Sequence, residues 1–232
     1  MAAARKALEL DPNLSEPHAI LGGQMMAQDW DFAGGIAEFK KAVELDPNNA
    51  ETRRIYADNI SLIGGMDQEA IAEVNRAHQL DPKSRLIKSE VGQVYITARQ
   101  FDEAIAVLKK LANENPTYAD AHLWLAIAYW GKKSYPEVIK EWKVSAQLSH
   151  DRNSSEFASS LAQGYRSAGW KGALTKGIEV MTVQRKGHPE SAYGDTYFIA
   201  HMYADLGDKD RAFQWLNTAL QEHDEYLMGF AD

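Results

Sequence analysis

The sequence contains no cysteine, and this absence excludes several kinds of chemistry at once. A disulfide framework, a zinc site built on thiolates and a cysteine nucleophile all require the missing thiol. No stretch approaches the roughly 18 consecutive apolar residues of a membrane span, and the N-terminus lacks the apolar core of a secretory signal. The composition therefore predicts a protein of the cytoplasm that has no membrane association.

A basic stripe is also missing, although charged residues are common. The 25 basic and 33 acidic residues give a formal net charge of -8, and both signs are mixed along the chain. Without clustered cations, a protein cannot release the counterions of a phosphate backbone. We therefore expect no direct binding to nucleic acid, and 45% hydrophobic residues are enough to bury a sizeable core.

Prolines are few, and four of them mark an internal period. Pro12, Pro47, Pro82 and Pro116 stand at intervals of 35, 35 and 34 residues, and the first three belong to near copies of the stretch ELDPN. Within each unit, apolar residues recur every three or four positions, which is typical of amphipathic helices. Turn-forming residues divide each unit at 28–35, 64–67, 98–102, 131–135 and 206–210. The period therefore predicts a chain of helix-turn-helix units.

The Asp-Pro dipeptide ends each unit for a physical reason. Proline disfavours the helical conformation of the residue before it and has no N–H for the intrahelical hydrogen-bond ladder. We therefore expect the second helix of each unit to stop at this dipeptide.

The units resemble tetratricopeptide repeats, whose pattern is W-x2-L-G-x2-Y, then A-x3-F, then P. The third unit matches this pattern best, at Val91-Gly92, Tyr95, Ala104, Leu108 and Pro116. The resemblance implies an all-α fold, a right-handed superhelical solenoid of helix pairs in which each repeat covers the apolar face of the next.

About six repeats and a half repeat are expected in a single array. The half repeat is 1–14, the regular repeats are 15–49, 50–84, 85–118 and 119–152, a degenerate repeat is 153–188, and the C-terminal repeat is 189–232. Polar stretches at 149–155 and 183–190 predict lengthened loops, the second of them a possible hinge. A first helix is missing from the half repeat, which indicates a fragment of a longer protein, a partner that covers this edge, or self-association through the N-terminal helix.

Searches for catalytic and metal-binding patterns fail. The stretch 164–171 has Trp170 where a phosphate-binding loop needs lysine. Asp205, Asp208 and Asp210 lack the spacing of a calcium-binding loop, and His201 four residues before Asp205 has no second histidine beside it. We therefore predict no enzyme, no catalytic residue, no metal and no cofactor.

The resemblance implies that certain positions of each first helix face a concave groove. Carried over by position, the candidate groove residues are Glu51, Arg54, Asp58, Ser61, Ser89, Gln93, Ile96, Asp120, Leu123, Ile127, Trp130, Tyr197 and His201. Their mixture of polar and apolar groups suits an extended peptide or a helix with one apolar anchor near Trp130. They could equally be ordinary solvated residues. A carboxylate clamp of the kind some family members have is disfavoured, because Arg54 and Asp58 occupy positions that need lysine and asparagine.

A finer similarity suggests a context. The segments 27–82, 167–174 and 201–227 are similar to C-terminal repeat regions of large bacterial signalling proteins, in which such arrays follow a DNA-binding, kinase or cyclase domain. The expected function is a protein-interaction scaffold that binds a peptide or protein in its groove as the regulatory part of such a protein. The alternative is a small-molecule sensor that controls an attached effector domain.

Overall fold

All secondary structure among the described residues is α-helical. The computed structural model describes residues 2–187 and 195–222. The helices are α1 (Ala2–Leu10), α2 (Ser15–Asp29), α3 (Phe32–Leu45), α4 (Ala50–Ser61), α5 (Asp67–Leu80), α6 (Arg85–Thr97), α7 (Phe101–Glu114), α8 (Ala119–Gly131), α9 (Tyr135–Ser149), α10 (Arg152–Gly187), α11 (Asp195–Leu206) and α12 (Lys209–Gln221). The predicted all-α fold class is thereby confirmed. None of these helices is both long enough and apolar enough to cross a bilayer.

The described residues divide into two compact units, one of residues 2–111 and one of residues 112–187 and 195–222. In the first unit, helices that follow one another in sequence form pairs, with α2 against α3 and α4 against α5. The first helices of these pairs also lie beside each other, because α4 contacts both α2 and α6. The unit therefore has a layer made of first helices, which is the layer that carries the candidate groove positions.

Aromatic and small residues hold the first unit together. The rings of Phe39 and Tyr56 stack with centroids 5.3 Å apart and join the first helix pair to the second. Gly22 and Gly35 allow α2 and α3 to approach, since a Cβ on Gly22 would lie 2.8 Å from the carbonyl oxygen of Gly35. Small residues at such positions let two helix backbones pack closely.

Aspartate takes part in the repeated helix ending through both its backbone and its side chain. The N–H of Asp46 donates to the Ala42 carbonyl at 3.1 Å and closes the last helical turn. Its Oδ1 then accepts the N–H of Asn48 at 3.3 Å, which forms the turn around the proline. Asp11 and Asp81 make the corresponding two contacts in their own repeats.

A cationic side chain ties this turn to both helices of the next repeat. Arg53, on α4, donates from Nε to the carbonyl of Pro47 at 2.9 Å and pairs through Nη1 with Glu73 on α5. The Arg53 guanidinium thus links the turn to the first and second helices of one repeat.

His18 occupies the position equivalent to that of Arg53 one repeat earlier. Its Nε2 lies 3.0 Å from the carbonyl oxygen of Pro12 and its Nδ1 lies 2.5 Å from Glu38 Oε2. A third pair of this kind, His122 and Glu141 at 2.7 Å, joins α8 to α9. The recurrence shows that the repeat includes a polar link between its two helices.

In the second unit, α8 pairs with α9 and α11 pairs with α12, while α10 contacts both α9 and α11. The predicted lengthened loop at 149–155 is wrong: only His150 and Asp151 separate α9 from α10. His150 takes the left-handed conformation with φ 54°, and the Asp151 carboxylate caps α10 by accepting the N–H of Ser154 at 2.6 Å. In the second predicted loop, 183–187 is helical and 188–190 lies outside the described residues.

The segment called α10 contains a sharp break and is two helices in effect. Ala168 and Gly169 have non-helical backbone angles, with φ 63° at Gly169. On either side of the break, the backbones meet at Gly164 and Gly172, because a Cβ on Gly164 would lie 2.1 Å from the Gly172 carbonyl oxygen. The degenerate repeat is therefore a helix pair that depends on glycine for its close contact.

Candidate functional site

The groove positions of the first unit lie on two adjacent helices. Glu51, Arg54, Asp58 and Ser61 follow one another at spacings of three and four residues on α4, so they share a helix face. Ser89, Gln93 and Ile96 do the same on the neighbouring α6. We call these seven residues the α4–α6 face.

Members of the α4–α6 face differ in exposure. Glu51 is exposed, while Asp58, Gln93 and Ile96 are partly exposed. Ser61 and Ser89 are buried, with 9% and 1% exposure. Their expected role as groove-lining residues is therefore a misassignment, because a bound chain could not reach buried hydroxyls.

Arg54 is held by carboxylates on both helices. Its Nε and Nη2 donate to the two oxygens of Glu51 at 2.9 and 2.7 Å, and its Nη1 donates to Glu90 Oε2 at 3.2 Å. The hydrogen bonds with Glu51 raise the pKa of the guanidinium and lower the pKa of the Glu51 carboxyl. Arg54 is thus a structural cation, and its charge is neutralised from within the protein.

Glu90 is the polar residue of this region that sequence analysis missed. It is 4% exposed on α6, and its burial, followed by the nearby Asp58, raises the pKa of its carboxyl to about 8 although Arg54 acts in the opposite direction. A carboxyl in the apolar stripe of a helix, between Ile87 and Val94, was the signal available in the sequence.

Leu86 was also missed, and it adds an apolar group to the same surface. It stands three residues before Ser89 and seven before Gln93, which places it on their face of α6. Its side chain is 46% exposed. With Leu86 added to it, the α4–α6 face presents carboxylates on α4 and two apolar groups, Leu86 and Ile96, on α6.

In the second unit, the predicted anchor Trp130 is covered. It is 5% exposed, and its ring meets those of Trp170, Phe198 and His201 at centroid distances of 5.2, 5.2 and 5.0 Å. The indole Nε1 donates to Asp205 Oδ2 at 2.5 Å. The expectation of an open aromatic anchor at Trp130 is therefore corrected: the indole is a core residue of this unit.

The other candidates of the second unit surround this aromatic cluster. Asp120 is exposed on α8, and Leu123, Ile127 and Tyr197 are partly buried. His201 packs edge-on against Trp130, and desolvation lowers the pKa of its imidazole against the opposing attraction of Asp205. Among the described residues, no three histidine, aspartate or glutamate side chains are placed to hold a metal ion.

A cavity of about 400 Å³ lies between α9, α10 and α11 in the second unit. Both aromatic and polar side chains line the cavity. The lining residues are Trp142, Asp151, Asn153, Ser154, Phe157, Met181, Gln184, Asp195 and Phe198. Its volume falls in the range of small-molecule sites, roughly 300 to 1,000 Å³.

Comparison with protein families identifies repeats in both units of the chain. Two models described as tetratricopeptide repeat match, one over residues 95–163 and the other over residues 197–222. A comparison with curated protein sequences found no match.

Solved structures share the fold at low sequence identity. PilW, a type IV pilus biogenesis factor, is 17% identical with a TM-score of 0.61, and the match covers 82% of this chain and 84% of PilW. YrrB, described as a tetratricopeptide-repeat protein with an unusual peptide-binding site, is 16% identical with a TM-score of 0.52, covering 77% and 92%. Yeast Tom70 is 16% identical with a TM-score of 0.59, covering 97% of this chain and 47% of Tom70.

Proposed function

We propose that this chain, a tetratricopeptide-repeat protein, is a non-enzymatic interaction scaffold that binds an extended peptide on its α4–α6 face. The observation that carries the proposal is the composition of that face. Asp58 and Gln93 offer partly exposed polar groups beside the exposed side chain of Leu86 and the partly exposed side chain of Ile96. Such alternation of hydrogen-bonding and apolar contacts is what an extended peptide requires. The peptide-binding site named for YrrB is consistent with this use of the fold.

A peptide array tests the proposal directly. Peptides that bind the wild-type chain should lose on the order of tenfold in affinity when Leu86 and Ile96 are both changed to alanine, since both apolar contacts disappear. Val183→Ala serves as the matched control, because Val183 is 70% exposed on α10 and lies outside the α4–α6 face. Equal loss in the control, or no loss in the double variant, would contradict the proposed site.

Within this proposal, peptide binding regulates a larger bacterial signalling protein. The support is the resemblance, drawn from the sequence alone, of the segments 27–82, 167–174 and 201–227 to repeat regions of such proteins. Reading the gene that encodes the chain tests the idea, because it requires a DNA-binding, kinase or cyclase domain in the same reading frame. A reading frame that encodes no such domain would contradict this regulatory role.

The cavity in the second unit favours a second candidate function, a small-molecule sensor. A ligand would lie against Trp142 and Phe198 and exchange hydrogen bonds with Asn153 and Gln184. Screening metabolites by thermal shift should then find a compound that raises the melting temperature of the wild type and has no effect on Asn153→Trp, which fills the cavity. Val183→Ala, at a side chain that is 70% exposed, is the control.

Self-association through the N-terminal region is a third proposal. Leu10, Leu14 and Ile20 are 78%, 41% and 56% exposed and lie close together in sequence around α1 and α2. Burying them would stabilise a dimer. Light scattering should show a molar mass that rises with protein concentration. The Leu10→Ser variant should have a lower mass than the wild type at the same concentration, and a constant monomer mass in the wild type contradicts the proposal.

A further inference from the structure

Three aromatic side chains line the cavity in the second unit. Trp142 comes from α9, Phe157 from α10 and Phe198 from α11. The ring centroid of Trp142 lies 5.3 Å from that of Phe157 and 5.6 Å from that of Phe198, and the two phenylalanine centroids are 6.3 Å apart. The ring planes are inclined to one another by 61° to 69°, so the three rings form an angled aromatic wall.

The ionisable side chains that line this cavity, within the described part of the chain, are both acidic. They are Asp151 and Asp195, and the other polar lining residues, Asn153, Ser154 and Gln184, are neutral. Hydrogen bonds from Ser154 hold the pKa of the Asp151 carboxyl below its ordinary value, so this group is charged at neutral pH. The cavity therefore combines an aromatic wall with negative charge.

The N-terminus of α10 also borders the cavity, and a helix N-terminus by itself favours an anion. Here Asp151 already supplies the negative charge, because its carboxylate accepts the N–H of Ser154 at 2.6 Å as the cap of the helix. A second anion would be repelled by Asp151 and by Asp195. The charge of the lining therefore favours a cation.

We propose that this cavity binds a small organic cation with a quaternary ammonium group, held by the aromatic wall of Trp142, Phe157 and Phe198 and by the Asp151 carboxylate. This inference rests on the proposed sensor function and specifies the class of its ligand. A quaternary ammonium has no N–H, so it can lie against aromatic rings without leaving a donor unsatisfied. A primary ammonium, with three donors and strong hydration, would lose more of its hydrogen bonds there.

Polar groups on the opposite side of the cavity can take the rest of such a ligand. Gln184 fixes this side, because its Nε2 donates to the carbonyl oxygen of Asn153 at 3.0 Å and joins the two ends of α10. The cavity of about 400 Å³ is larger than a trimethylammonium group alone. A hydroxyl group carried by the ligand would therefore lie within reach of Asn153 or Ser154.

Two probes test the charge preference by titration calorimetry on the full chain: choline and the neutral alcohol in which carbon replaces its nitrogen. The wild type should bind choline on the order of tenfold more tightly, because only choline carries the charge. Asp151→Asn should bind the two probes with nearly equal affinity, while its amide oxygen still caps α10. Asp210→Asn, the same charge change at an exposed position of α12, is the matched control and should keep the wild-type preference.

Proton NMR of choline tests the aromatic contact. Ring currents of the aromatic wall should shift the methyl resonance upfield when the wild type is added. Phe198→Leu should reduce this shift and should weaken the binding of choline more than that of the neutral alcohol, because only the cation interacts with the ring quadrupole. Asn153→Trp, which fills the cavity, should abolish the shift.

The outcomes separate this inference from the sensor function. If the wild type binds choline and the neutral alcohol equally, or if Asp151→Asn keeps the preference for choline, the cation inference is wrong. A metabolite that raises the melting temperature although choline does not bind would refute the cation and leave the sensor function standing. If neither choline nor any metabolite stabilises the wild type, both are wrong. Tighter binding to phosphatidylcholine vesicles than to free choline would overturn the assignment to a small molecule.

Discussion

Trp130 and Asp205 are 75 residues apart in sequence, yet the indole Nε1 of the first donates to the carboxylate of the second at 2.5 Å. The bond links α8 to α11 and lies at the polar edge of the aromatic cluster around Trp130. Because a donor in a buried indole needs a partner, this carboxylate is part of the packing of the second unit.

Removal of that carboxylate should destabilise the second unit. Asp205→Ala leaves the Trp130 N–H without its charged acceptor, and we expect a loss of about 2 kcal/mol in the free energy of unfolding. Urea denaturation followed by tryptophan fluorescence measures the change. Asp210→Ala, at an exposed position of α12, is the control and should cost less than about 1 kcal/mol. Equal effects would show that the Trp130 contact is energetically unimportant.

The link between turn and helices at Arg53 leads to a second prediction. Arg53→Ala leaves Glu73 without its cation and the Pro47 carbonyl without its donor, so stability should fall by about 2 to 3 kcal/mol. Arg76→Ala removes an exposed arginine from α5 of the same repeat and should change stability by less than about 0.5 kcal/mol. Chemical denaturation of both variants under one condition checks the difference, and a loss in Arg53→Ala as small as in Arg76→Ala would refute it.

A methyl group at Gly164 should disrupt the helix pair of α10. The added Cβ would lie 2.1 Å from the carbonyl oxygen of Gly172, so the two backbones must separate, and we expect Gly164→Ala to cost more than about 2 kcal/mol. A Cβ on Gly64 meets no atom within 4 Å, and Gly64→Ala should stay within about 0.5 kcal/mol of the wild type. Thermal unfolding of the two variants provides the comparison. A tolerated Gly164→Ala would mean that the contact is easily relaxed.

Glu90 predicts a pH dependence of stability with a definite sign. Its native pKa, raised to about 8, exceeds the ordinary value of 4.5, so the folded chain holds a proton that the unfolded chain has lost between these values. The contribution of the protonated Glu90 to the free energy of unfolding is therefore fully present below about pH 4.5. It decreases as the pH rises toward 8, by at most about 1.4 kcal/mol per pH unit.

Glu90→Gln tests this sign. Glutamine cannot ionise, so the variant should lose the slope between pH 5 and 8 and should gain stability relative to the wild type toward the upper end of that range. Denaturation midpoints measured across the range decide the matter. Parallel wild-type and variant curves would show that Glu90 does not titrate in this interval.

Helix positions and helix ends were predictable from the sequence, because both depend on neighbours in the chain. The proline period and the apolar spacing predicted paired helices. Four of the five predicted turn segments contain the break between the two helices of a pair, and the fifth, 64–67, overlaps the break at 62–66. Asp46 could be predicted to end a helix because the Asp-Pro effect is local. The error at 149–155 arose because polarity was taken as a sign of a loop, whereas Asp151 serves as the cap of the next helix.

The character of the candidate site was only partly predictable. The repeat register placed Asp58 and Gln93 at partly exposed positions of adjacent helices, and the structure brings their helices together. The repeat register did not reveal that Arg54 donates hydrogen bonds to both Glu51 and Glu90, because Glu90 approaches from a different repeat. The sequence alone also suggested that Trp130 was open to a ligand, since nothing near it in the chain covers the indole.

Sequence by itself determined the local level of this protein: the helical periods, the Asp-Pro turns and the tetratricopeptide pattern, all of which depend on residues a few positions apart. Tertiary structure decided which polar groups pair and which aromatic groups are buried. The physical reason is that burial and electrostatic pairing depend on distances between helices. Asp205 reaches Trp130 and Glu90 reaches Arg54 across 75 and 36 residues of chain, separations at which no local pattern specifies contact.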